Sequence, residues 1–114
     1  MAGMARKALD EPDEIREIPK GRIELFTLGG GTVYRASLQP GWRWSESLRE
    51  AVGTESCPKD HILHVLSGRI HVRMDDGTQD EQGPGELWRV PPGHDAWVVG
   101  DEPAVFLDFA EARA

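Results

Sequence analysis

The chain has 114 residues, enough for one domain with a modest core and too few for two. Its 13 Lys and Arg against 20 Asp and Glu give a formal charge of −7 with no basic cluster, which argues against a nucleic-acid partner. No apolar run approaches the roughly 18 residues that span a bilayer, so no membrane partner is expected.

A single cysteine excludes an intrachain disulfide, and the start, Met1-Ala2-Gly3-Met4-Ala5-Arg6-Lys7, lacks the apolar stretch of a signal peptide. A cytoplasmic setting is the simpler expectation. The 13 Gly and 8 Pro favour many short elements over a few long helices. Residues 6–20 are dense in charge and poor in large apolar groups, so residues 1–20 read as an N-terminal arm or extended edge outside the core. From residue 21 the pattern becomes β, and one barrel domain is expected over 21–112.

Arg22–Leu28 and Thr32–Leu38 read as strands joined through Gly29-Gly30-Gly31 in a hairpin. Pro40-Gly41 marks a turn before Trp42-Arg43-Trp44, whose two Trp share a face at period two. Ser45–Gly53 reads equally as two helical turns or a loop. The stretch Cys57-Pro58-Lys59-Asp60-His61 then places the only cysteine four residues before a histidine. In one extended strand the pair would sit roughly 13 Å apart, too far to share a metal with ligands at about 2.0–2.3 Å. With Pro58-Lys59-Asp60 as a tight hairpin loop, Cys57 and His61 face each other across two antiparallel strands.

His61–Leu66 and Arg69–Met74 form the next hairpin through Ser67-Gly68, and Asp75-Asp76-Gly77 is a strong turn signal. Polar Thr78–Gln82, strand Glu86–Val90, the turn Pro91-Pro92-Gly93, and strands Asp95–Val99 and Ala104–Phe109 follow. Short strands at this spacing indicate a sandwich or barrel. In Arg69–Met74 only Ile70, Val72 and Met74 make an apolar face. In His61–Leu66 both faces are largely apolar, so the outer one needs cover from the arm or from a second subunit, and a homodimer is expected.

The run from Gly53 to Gly68 resembles the first motif of the cupins, two His separated by one residue, then a Glu and a closing Gly. On this chain the two His positions fall on Glu55 and Cys57, the Glu position on His61, and the Gly on Gly68 after Val65-Leu66-Ser67. Gly85, Pro91 and Gly93 match the spacing of the second motif. Its His position falls on Ala96, while His94 follows Gly93 directly. The resemblance covers roughly residues 30–110 and implies an all-β, single-domain jelly-roll barrel of two antiparallel sheets.

Cupins usually hold a divalent metal with three His and one Glu, so the corresponding set here is Glu55, Cys57, His61 and a displaced His94, and the resemblance implies a metal on Cys57, His61 and His94. A thiolate with imidazoles suits Zn²⁺, with Fe²⁺ or Ni²⁺ as alternatives. Glu55 is expected behind a ligand or, with His94, as an acid/base group. Trp42, Trp44, Arg43 and Trp97 are expected to line a cavity for a small, partly apolar organic acid. Plainer roles stand beside these: a buried Cys57, a hydrogen-bonded core His61, a loop His94, and solvated Arg35 and Arg89. His64 reads as packing or interface and His71 as surface.

The implied function is metal-dependent Lewis-acid or activated-water chemistry on a small substrate. The alternatives are a non-catalytic metal or small-molecule sensor, and a metal-free interaction module. Fold resemblance alone does not choose among them.

Overall fold

A computed structural model describes residues 3–109. Residues 1–2 and 110–114, and with them the expected domain end at residue 112, lie outside the described residues. Two antiparallel sheets enclose the core. The larger runs in the order β1 (Glu14–Ile18), β2 (Gly21–Leu28), β3 (Gly31–Leu38), β9 (Ala104–Asp108), β4 (His61–Ser67) and β7 (Leu87–Val90). The smaller runs β6 (Gln79–Gln82), β5 (Ile70–Met74) and β8 (His94–Val98). The turn signals place β2 to β9 to within one residue.

Alternation assigns the inward faces. Leu63 and Val65 of β4, Ile70 and Val72 of β5, Ala96 and Val98 of β8, and Ala104 and Phe106 of β9 are all buried. Gly68 turns β4 into β5 at φ +74°, and a Cβ there would stand 2.2 Å from the Pro103 carbonyl oxygen. The closing glycine of the first motif is therefore required twice, by its left-handed backbone and by the chain packed against it.

The segment after Trp42 resolves as two single-turn helices, α1 (Trp44–Ser47) and α2 (Arg49–Val52), ended by Gly53 at φ 84°. They carry Trp44, Leu48 and Val52 over the gap between the sheets. Period two is thus not a strand here. Trp42 and Trp44 still both turn inward, because the chain bends into α1 between them.

The second half of the expected arm is β1, an edge strand paired with β2 from Glu14↔Leu25 to Ile18↔Gly21. Residues before it fold back over the outer face of β2 and β3. Arg35 Nη2 donates to the Leu9 carbonyl at 2.8 Å, and Thr27 N–H donates to Asp13 Oδ2 at 2.7 Å. Outward-facing Phe26 and Glu24 are buried in consequence. On β4 and β7 the outer face stays open, with Leu66 42% and Leu87 73% exposed. No helix among the described residues is long and apolar enough to cross a membrane.

Candidate metal centre

Cys57 and His61 come together, but not across a hairpin. Cys57 forms a bridge with His94 at the free edge of β8, its N–H donating to the His94 carbonyl and its carbonyl accepting from Gly93 N–H, both at 2.8 Å. His61 opens β4 in the other sheet, opposite Val90 of β7. Pro58-Lys59-Asp60 is therefore a corner that carries the chain from the small sheet to the large one. Both side chains point into the barrel from different walls, and Cys57 Sγ lies 3.6 Å from His61 Nε2.

His94 completes the group. It follows Gly93, at φ +93°, and its Nδ1 lies 2.8 Å from the Pro91 carbonyl oxygen. A carbonyl only accepts, so Nδ1 carries a proton there and Nε2 is the nitrogen left to face Cys57 and His61. The His61 ring is held the same way, with Nδ1 2.6 Å from Asp108 Oδ2. The two rings meet edge to face at 5.2 Å between centroids. One ligand atom from each of Cys57, His61 and His94 lies within 4.8 Å of the others.

These three residues fit a metal ion. A tetrahedral centre with N and S ligands at about 2.0–2.3 Å separates them by roughly 3.4–3.6 Å. The sulfur–nitrogen pair already has that spacing, and the widest pair has to draw in by at most roughly 1.4 Å. Each imidazole is also anchored through the nitrogen facing away from the group, as metal-ligating histidines are.

The electrostatics follow from the same contacts. Burial pushes the Cys57 thiol up, but hydrogen bonds from His61, His94 and the Lys59 N–H outweigh it and bring the pKa from 9.0 down to about 6. Burial pushes His61 down, but Asp108 and Cys57 outweigh it and raise the pKa from 6.5 to about 9. In the absence of an ion, then, the pair is thiolate and imidazolium near neutrality.

The other expected site residues divide. Trp42 and Trp44 line the barrel cavity of about 190 Å³ that opens beside Cys57, His61 and His94. Arg43 and Trp97 do not line it. Trp97 lies between inward Ala96 and Val98, so alternation turns it outward, where Arg43 stacks on it at 4.3 Å and His71 at 4.7 Å. Arg43 Nε also donates to Asp95 Oδ2 at 3.0 Å. Glu55 is exposed and off the cavity wall, because its position precedes the Cys57 bridge and stays on the outside of the corner.

Sequence reasoning missed Asp108. The available signal was a carboxylate on the same strand face as buried Ala104 and Phe106. It also missed Arg16, Tyr34 and Lys59, which line the cavity beside the site.

Two antiparallel sheets closed on a cavity, with thiol and imidazole ligand atoms gathered at one end, define a small jelly-roll barrel. The chain has the cupin fold. It superposes on an RmlC-like cupin from Shewanella frigidimarina with a TM-score of 0.63 at 16% identity, over 97% of this chain and 96% of that one. It also matches oxalate decarboxylases of Lactobacillus farciminis and Bacillus subtilis, with TM-scores of 0.67 and 0.69 at 17% and 16% identity. Those matches cover 100% of this chain but 34% and 31% of the decarboxylases, so it spans about a third of their length. No family model matches the sequence, and no curated protein does.

Proposed function

We propose that this protein is a metal-binding cupin that holds one divalent ion on Cys57, His61 and His94 and acts on a small organic acid in the barrel. The observation that carries this reading is the convergence of three ligand atoms within 4.8 Å, each imidazole fixed from behind. A thiolate and two neutral imidazoles favour Zn²⁺, with Fe²⁺ or Ni²⁺ as alternatives.

When bound, the ion would supply Lewis acidity toward a substrate oxygen or a water. The chain's own groups do the rest. Asp108 and the Pro91 carbonyl hold the Nδ1 protons, leaving each Nε2 unprotonated toward the site. Trp42, Trp44, Leu63, Val72 and Phe106 wall it off from bulk water. Cys57, His61 and His94 would leave one position of a four-coordinate site for substrate.

Elemental analysis after equilibrium dialysis against Zn²⁺ tests the assignment. One ion per chain in the wild type, lost in His61→Ala and His94→Ala, supports it; equal metal in all three proteins contradicts it. The reading includes a cytoplasmic setting and self-association through the outer face of β4 and β7, where Leu66 and Leu87 stay exposed. Sedimentation of Leu87→Lys beside the wild type tests that second element.

A second reading uses the same residues without an ion. Cys57, His61 and Asp108 form a relay, with 3.6 Å from Sγ to Nε2 and 2.6 Å from Nδ1 to Oδ2, suited to a thiolate nucleophile with an oriented acid/base partner. Alkylation of Cys57 by iodoacetamide separates the two. Protection by stoichiometric Zn²⁺ supports the metal centre, and equal rates with and without it favour the relay.

A further inference from the structure

Which ligand the barrel takes is written in how its lining changes along the strands. The register divides the cavity into layers. His94 pairs with Met74, Ala96 with Val72, and Val98 with Ile70, so the smaller sheet runs from polar to wholly apolar in two steps. The larger sheet does the same: Tyr34↔Asp108 lies in one layer, Ala36↔Phe106 in the next, and Leu38↔Ala104 in the last. Cys57, His61, His94 and Asp108 therefore share one end, and Leu38, Ile70 and Val98 close the other.

Two cationic side chains stand near the polar end. Arg16 lines the opening from the edge strand, steadied by Glu14 at 2.6 Å, and Lys59 Nζ lies 5.3 Å from the centre of the Tyr34 ring. An ion held by Cys57, His61 and His94 would leave a coordination position for an anionic oxygen, the head group this end suits.

The far end has the size and chemistry of a ring pocket. An apolar cavity of about 150 Å³ stays dry and holds benzene. The present cavity, at about 190 Å³, offers that space plus room for a small head group. Its aromatic walls, Trp42, Trp44 and Phe106, suit a flat ring.

Building on the metal reading, we infer that the barrel binds an aromatic monocarboxylate with its carboxylate at the Cys57–His61–His94 end and its ring among Trp42, Trp44 and Phe106. A rigid ring keeps head and tail apart with little conformational entropy to lose, which a flexible chain of the same length does not.

Calorimetric titration of the Zn²⁺-loaded protein with benzoate, 4-methylbenzoate, hexanoate and acetate tests this. The two benzoates should bind within about threefold of each other, and hexanoate and acetate more weakly than either by about tenfold or more. Hexanoate binding as tightly as benzoate overturns the proposal.

Two controls separate this inference from the metal reading: metal content of the same sample, and titration of metal-stripped protein with neutral p-cresol. Protein that takes up no ion but binds p-cresol overturns the carboxylate assignment together with the metal and upholds the ring pocket. Protein that holds its ion and rejects p-cresol and both benzoates overturns the ring pocket and leaves the metal centre standing.

Discussion

Asp108→Asn isolates what the carboxylate behind His61 contributes. Asn keeps an oxygen that accepts from Nδ1–H, so the tautomer and ring orientation survive, but the negative charge is gone. Both side chains are largely buried, at 16% exposure for His61 and 13% for Asp108, so water screens little of the loss. Replacing a partner of this kind lowers metal affinity by about 10–100-fold, or roughly 1.4–2.7 kcal/mol. The metal-free protein gives a second readout. The His61 pKa of about 9 depends on Asp108 and Cys57 outweighing burial, so without the charge the imidazole gives up its proton at lower pH. The Cys57 thiolate then loses part of its imidazolium partner, and its titration moves up from about 6. Competitive chelator titration measures the first effect, and ultraviolet thiolate absorbance against pH the second. An Asp108→Asn protein with wild-type metal affinity and an unmoved thiolate midpoint would refute the role given to this residue.

Three further outcomes follow from the structure. The raised His61 pKa contributes stability that is complete below pH 6.5 and lost as pH rises through about 9; the lowered Cys57 pKa contributes stability that is complete above pH 9.0 and lost as pH falls through about 6. Between those limits the two terms offset, because folding only moves a proton from sulfur to imidazole. Metal-free Cys57→Ser should therefore lose stability with rising pH relative to the wild type, by up to about 1.4 kcal/mol per unit in urea unfolding, and parallel curves would contradict this. Gly68→Ala forces a Cβ to 2.2 Å from the Pro103 oxygen at φ +74° and should cost more than about 2 kcal/mol; a melting curve like the wild type's would argue against the packing described. Gln82 is fully buried with both amide atoms unpaired, so Gln82→Met should raise stability by about 1–3 kcal/mol, and a loss would mean the amide has a partner such as a bound water.

The fold was legible because turn residues sit where the backbone demands them. Gly29, Gly68, Gly77, Gly85 and Gly93 all have positive φ, and strand alternation between them sorted the inner faces. The candidate site was legible in composition and less so in construction. Cys57 and His61 do meet, but the short spacing reflects a corner between two sheets, and nothing local distinguishes that corner from a hairpin. His94 reaches the group because Cys57 bridges it from the neighbouring segment, a contact made at long sequence separation. Glu55 carried a motif position without the inward orientation. Trp97 and Arg43 were assigned to the cavity by residue type, although the alternation around Ala96 and Val98 already pointed Trp97 outward. Asp108 was readable from the face it shares with Phe106, since a carboxylate on an inner face needs a partner.

The thiolate ligand is the part of the centre that most separates it from a site built of histidines alone. Reconstitution with Co²⁺ and optical spectroscopy test it directly. Wild type is expected to show a sulfur-to-cobalt charge-transfer band with d–d absorption of four-coordinate intensity, and Cys57→Ser to lose the charge-transfer band. A wild-type spectrum indistinguishable from Cys57→Ser, or from free Co²⁺ in buffer, would contradict the centre.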